Sequence, residues 1–192
     1  MGCQAREAGL PLADDYTAAL LTLGEAFDHY TTATGLTAVL VGGAATAIYT
    51  DGAFPSGDFD VAAADDAAFD AAMRSRGFVR ENRAGRLRIG YYHPAHPAYG
   101  FQQVSGPLFD GQSDEGRLIR MKLDKGVIAL PAIEDIIADR LARHAIASPS
   151  DDSRLRQART LFVLADNLDL AYLHRRILEE SGDPALLGLA GP

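Results

Sequence analysis

Two aspartates, Asp58 and Asp60, flank a single phenylalanine fifteen residues beyond the pair Gly42-Gly43. In a β-strand successive side chains leave opposite faces, so both carboxylates share one face while Phe59 and Val61 share the other. An apolar run, Val39-Leu40-Val41, leads into the two glycines, and the short helix-forming stretch Ala44 to Tyr49 follows. A glycine turn at a helix start admits a phosphate chain close to backbone N–H groups. Two carboxylates facing that turn can hold a hard divalent cation against the phosphates. The chemistry this pattern points to is the handling of nucleotides.

The remaining elements must position that pair. Asp14 and Asp15 open a helix whose Leu20, Leu23, Phe27 and Tyr30 recur at helical spacing, and Gly35 ends it. The spacing then predicts a strand over 37–41, a helix over 44–50, a loop through Pro55-Ser56-Gly57 and a strand over 58–63. Asp65 is an N-cap for a helix burying Phe69, Ala72 and Met73, which Gly77 closes. Short β-rich segments follow at 78–81, 86–92, 99–104 and 118–123, and Asp124-Lys125-Gly126 turns into a strand over 127–130. Pro131 opens a helix at its first turn, with Ile133, Ile136, Ile137, Ala138 and Leu141 as its buried stripe. Two further helices are expected at 153–166, burying Leu155, Ala158, Leu161, Phe162 and Leu164, and at 169–180. The order of elements fits an α+β fold: a mixed sheet flanked by helices over 1–130, a helical subdomain over 131–181 and a flexible tail over 182–192.

Composition narrows the function classes. The chain has 192 residues and a formal net charge of −8, which argues against a broad duplex-DNA surface, because such surfaces need clustered Lys and Arg. The one cysteine, Cys3, has no internal disulfide partner, and a reducing, cytoplasmic setting is the expectation. No apolar run reaches the length of a membrane span, and the N-terminus lacks a signal-peptide core. There is no Ser/His/Asp order, Walker lysine or cysteine-based metal spacing.

The stretch 37–63, with its strand, Gly42-Gly43, short helix and Ser56-Gly57-Asp58-Phe59-Asp60, resembles the nucleotidyltransferase superfamily that includes DNA polymerase beta. It is most similar to the minimal bacterial nucleotidyltransferases of toxin–antitoxin and abortive-infection systems. Residues 131–141, Pro-Ala-Ile-Glu-Asp-Ile-Ile-Ala-Asp-Arg-Leu, resemble the helix that begins the helical half of such proteins. The resemblance implies that Gly42 and Gly43 approach the triphosphate of an NTP, and that Asp58 and Asp60 bind Mg²⁺ or Mn²⁺ and are the catalytic pair. It further implies an acceptor hydroxyl on RNA, protein or a small molecule, and a cognate antitoxin-like partner.

Two departures from that pattern stand out. Active members carry Ser after the glycines, where this chain has Ala44; Thr46 or Ser56 would supply the hydroxyl instead. Active members also carry a third carboxylate on a later strand, where residues 99–104 offer Gln102 and Gln103. Glutamine cannot take a proton. The beta-rich stretch that follows carries Asp110 and Asp114, but in a loop. Two readings therefore stay open beside an accidental motif on an unrelated α+β domain: an active enzyme, or a nucleotide- or partner-binding module that kept the fold.

Other residues have plainer readings. His93 and His96 belong to a surface turn broken by Pro94 and Pro97, Tyr91 and Tyr92 to a strand, and Arg83, Arg86 and Arg88 to a solvated basic hairpin. Lys122 and Lys125 read as surface charges. Asp135 and Asp139, beside Arg140 and Arg143, read as a solvated ion-pair face.

Overall fold

The computed structural model describes residues 12–81, 89–104 and 108–189. Cys3, the basic residues Arg83, Arg86 and Arg88, and Ser105-Gly106-Pro107 lie outside them. In chain order the elements are α1 (Asp14–Thr34), β1 (Val39–Val41), α2 (Gly42–Tyr49), β2 (Asp58–Ala62), α3 (Asp66–Ser75), β3 (Val79–Arg80), β4 (Ile89–Tyr92) and β5 (Gly100–Val104). After two 3₁₀ turns come β6 (Ile119–Lys122), β7 (Val127–Leu130), α4 (Ile133–Ala145), α5 (Ser153–Leu164) and α6 (Leu170–Glu179). The strands form one sheet in the order β3-β4-β5-β2-β1-β7-β6. It is mixed: β2 runs parallel to β5 and β7 parallel to β1, while the other pairings are antiparallel.

Local chemistry sets the ends of these elements. Gly35 takes the left-handed conformation at the end of α1 and its N–H donates to the Thr31 carbonyl, closing the last turn. The Asp65 carboxylate accepts from the Ala68 N–H at the start of α3, and Asp169 does the same for Tyr172 at the start of α6. The Asp124–Gly126 turn joins β6 to β7, with the Leu123 N–H donating to the Gly126 carbonyl. Helix α4 begins two residues later than Pro131 suggests: Ala132 is its cap and Pro131 lies outside.

The central strands have one aromatic face. Phe59 of β2 stacks on Phe101 of β5, ring centroids 5.0 Å apart, and Tyr16 of α1 lies 4.8 Å from Phe59. Phe78 meets Phe101 edge-on. These rings belong to a hydrophobic cluster that runs from α1 and α3 through α2 into α4, α5 and α6. On the opposite face, Val39, Val41, Ala62 and Ala129 form a smaller cluster against Val104, Leu108 and Leu118.

The acidic residues of α4 correct the expectation of a solvated ion-pair face, because they are buried. Asp135 is fully buried and accepts from Arg176 Nε at 2.6 Å, from the Tyr172 hydroxyl at 3.0 Å and from the Ser113 hydroxyl at 2.9 Å. Arg176 donates onward to Glu179 and Glu180. Burial opposes its charge, but hydrogen bonds to Glu179, Asp135 and Glu180 outweigh that and hold its pKa above the usual arginine value. Asp139 pairs with the buried Arg140 and with Arg143. A helical pattern of charge does not reveal that a second helix covers it, which is why the sequence reading failed here. In α5 Leu161 is fully buried and Phe162 half-buried, whereas Leu164 faces solvent.

Of the expected tail, residues 182–189 are described. Asp183 caps a 3₁₀ turn over Pro184–Leu187, accepting from the Ala185 N–H at 2.9 Å, and Leu186, Leu187 and Leu189 pack against the main cluster.

Removing one partner from a buried ion pair strands the other charge, at about 3–5 kcal/mol. Arg176→Met is therefore expected to lower unfolding free energy by about that amount in urea denaturation. Wild-type stability would show that Tyr172 and Ser113 suffice for Asp135.

Candidate functional site

The β2–β5 pairing builds the site. Its parallel register sets Asp58 beside Gly100 and Asp60 beside Gln102, and across β1 Asp60 pairs with Val41, the residue before Gly42. Phe59 and Val61 are buried while Asp58 is exposed and Asp60 half-buried, so both carboxylates stand on the face away from the aromatic layer. A Cβ on Gly100 would lie 2.5 Å from Asp58 Oδ1, and one on Gly42 would lie 2.6 Å from Asp60 Oδ2. At either position a side chain would force the carboxylate to shift. Gly42 also has φ of +69°, so it is required twice: for the left-handed turn from β1 into α2 and for room beside Asp60.

Gly42 and Gly43 are the first residues of α2, and no side chain caps that helix. Its first-turn N–H groups lack partners inside the helix and carry its positive dipole end. Ser56 sits beside them, its Oγ 2.7 Å from where a Cβ of Gly43 would be, and it donates to the Asp58 carbonyl at 2.8 Å. Thr46 is placed differently. It is fully buried and donates to the Gly42 carbonyl at 3.0 Å, bracing the turn from within, so it does not offer its hydroxyl to a phosphate. Ala44 is also fully buried, against the hydroxyl of Tyr16.

Gln102 and Gln103 part company. Gln102 stands on the carboxylate face next to Asp60, whereas Gln103 is fully buried on the other face and donates to Asp66 at 2.7 Å. Asp114 accepts from the Gly116 N–H and pairs with Arg117, while Asp110 lies in the exposed 3₁₀ turn before it. Neither lines the cleft that opens beside Asp58. That cleft has a volume of about 460 Å³, with Gly90, Gly100 and Gln102 in its floor and Tyr92, Pro97, Ala98 and Tyr99 among its walls. Glu81, at the end of β3, also lines it; the sequence reading did not single it out.

The remaining candidates lie apart. The His93 and His96 rings stack 4.8 Å apart in a turn; His96 meets the Thr22 hydroxyl at 2.8 Å and His93 the Arg76 carbonyl at 3.0 Å. Burial and the neighbouring His93 lower the His96 pKa. Tyr91 is buried on the aromatic face, donating to Asp70, while Tyr92 is exposed on the cleft side. Lys125 pairs with Glu25 at the surface.

With this geometry in view, comparison with solved structures is informative. The chain superposes on the crystal structure of an antigenic nucleotidyltransferase-like protein from Paracoccidioides brasiliensis with TM-score 0.59 and 14% identity, covering 86% of this chain and 87% of that one. It superposes on the solution structure of the antibiotic-resistance factor ANT(2'')-Ia with TM-score 0.53 and 12% identity, covering 84% and 91%. The fold is nucleotidyltransferase-like. A more distant likeness, TM-score 0.46 and 13% identity over 80% of this chain and 99% of the other, is to the lincosamide antibiotic adenylyltransferase LnuA in lincomycin-bound form. No family model and no curated protein matches the sequence. Among the described residues no helix is long and apolar enough to cross a membrane.

Among the described residues no group of three or more His, Cys, Asp and Glu side chains is placed to hold a metal ion. The nucleotidyltransferase-like fold nevertheless implies a divalent ion, and the donor set present suits Mg²⁺. That ion keeps several waters and is held by one or two carboxylates plus substrate phosphates rather than by an all-protein cage. Asp58 and Asp60, on one face of β2, supply two carboxylates of that kind as donors.

A ligand that binds only the native state raises the melting temperature, by an amount equivalent to about 2.7 kcal/mol at a hundredfold excess over Kd. Mg·ATP, Mg·GTP, Mg·CTP or Mg·UTP is expected to raise it, and Asp58→Asn with Asp60→Asn to remove the Mg²⁺-dependent part. An equal shift in the double variant would show that these aspartates are not ligands.

Proposed function

We propose that this chain transfers a nucleotidyl group from an NTP to an acceptor hydroxyl. The observation that carries the reading is the Asp58–Asp60 pair, held over Gly42 and Gly100 beside the uncapped start of α2. In this reading the N–H groups of Gly42 and Gly43 receive phosphate oxygens, with the Ser56 hydroxyl beside them. Asp58 and Asp60 hold the ion, Mg²⁺ or Mn²⁺, which when bound neutralises charge on the phosphates. Such catalysis is chiefly positioning and electrostatic stabilisation at the transferring phosphorus.

The cleft next to Asp58 is the acceptor's place. It is open, partly aromatic and, among the described residues, lined by no Lys or Arg. A volume of about 460 Å³ fits a small hydroxyl compound, and RNA or protein acceptors become outcomes of the assay. A second reading is a binding module without turnover, favoured by Gln102 where a third carboxylate is expected. An antitoxin-like partner and a cytoplasmic setting belong with either reading.

The test supplies each α-labelled NTP with Mg²⁺ or Mn²⁺ and, separately, total RNA, lysate protein and a panel of small hydroxyl compounds that includes lincomycin. Transfer of label with release of pyrophosphate, lost in Asp60→Asn, is the expected result. Nucleotide binding with no label transferred to any acceptor would establish the binding-module reading instead.

A further inference from the structure

Gln102 leaves the cleft without a proton acceptor on β5, and the ladder shows what stands across from it. One row runs across the sheet from Val41 through Asp60 and Gln102 to Gly90. It continues to Glu81, whose N–H donates to the Gly90 carbonyl at 2.8 Å. Paired residues in a sheet share a face, so Glu81 shares the face of Gln102 and Asp60, and it lines the same cleft as Gln102 and Asp58.

Gly90 makes the arrangement possible. Its φ lies outside the left-handed region, so the backbone does not call for glycine there. A Cβ at position 90 would lie 3.1 Å from Glu81 Oε2, a tight contact with the tip of that side chain. The Glu81 side chain thus leans over Gly90 toward Gln102. Neighbouring strands lie about 4.8 Å apart, so its carboxylate stands roughly one strand spacing from Gln102, across open cleft floor.

We propose that Glu81 is the general base of the transfer, taking the place of the acid that Gln102 replaces; this rests on the nucleotidyl-transfer reading above. The acceptor hydroxyl enters from the Tyr92 side and sits between Glu81 and Asp58. Its O–H bond gives the proton to the Glu81 carboxylate while its oxygen forms the new bond to the α-phosphorus. The bond from that phosphorus to the bridging oxygen breaks, and pyrophosphate leaves with the electron pair. Gln102 contributes its amide as a hydrogen-bond partner in the floor.

Glu81→Gln keeps shape and leaves the backbone bond to Gly90 intact. The measurement is pyrophosphate release from Mg·ATP, Mg·GTP, Mg·CTP and Mg·UTP with glycerol, D-glucose or water as the hydroxyl probe, alongside the thermal shift from each nucleotide. General-base help is worth about 10²–10⁴-fold. Glu81→Gln is expected to lower kcat by about that factor with the Mg·NTP thermal shift unchanged. Adding Gln102→Glu, which sets a carboxylate one strand nearer Asp60, is expected to restore at least a tenth of the lost rate. A wild-type rate in Glu81→Gln overturns this assignment and leaves nucleotidyl transfer standing. A nucleotide-dependent thermal shift with no pyrophosphate release from wild type overturns both.

Discussion

The structure depends on the register between β2 and β5. Phe59 stacks on Phe101 beneath the sheet, and that stack places Asp58 beside Gly100 and Asp60 beside Gln102 above it. A slip of one residue would turn the aspartates into the aromatic layer and Phe59 into solvent. Tyr16 and Phe78 pack against the same two rings from α1 and from the segment before β3. The carboxylates thus owe their position to apolar contacts on the opposite face, where burial is strongest.

Above the sheet the design is one of omission. A Cβ on Gly42 or Gly100 would meet a carboxylate oxygen of Asp60 or Asp58, and one on Gly90 would be tight against Glu81 Oε2. The three glycines leave room for these acidic side chains over the sheet face. In α4 two acids are buried and paired. Asp135 and Asp139 are tied to Arg176 and Arg140 inside the helical half, and Arg117 bridges to Asp169 while resting on the Tyr172 ring. Those groups fasten α4 to α6 and the loop before β6.

Much of this was legible from sequence, and the failures share a cause. Alternation at 58–61 fixed the faces of Asp58, Phe59 and Asp60, and turn residues such as Gly35, Asp65 and Gly126 marked the element boundaries. The same period of two separated Gln102 from Gln103. What local pattern cannot show is which polar stripe another element covers: Asp135 and Asp139 look solvated until α6 and α5 are laid over α4. The sequence offers Thr46, with Ser56, only as a hydroxyl in place of the serine missing at Ala44, and helix packing turns it inward to the Gly42 carbonyl. Glu81 was overlooked because its relation to Gln102 arises only when β4 pairs with both neighbours, a contact between residues far apart in the chain. The one signal in the sequence was Gly90, a glycine inside a strand, which often marks a close approach.

The central claim is that the cleft face around Asp58 and Asp60 receives a metal–nucleotide complex. Paramagnetic Mn²⁺·ATP, titrated into isotopically labelled protein, tests this most directly through the broadening of backbone amide signals. The account predicts that Gly42, Gly43, Asp58, Asp60, Gly100 and Gln102 broaden first, with Gln103 and the His93–His96 turn affected later. Broadening centred on the Asp114–Asp169 region or on the histidine turn, with Gly42 and Asp60 unchanged, would contradict it.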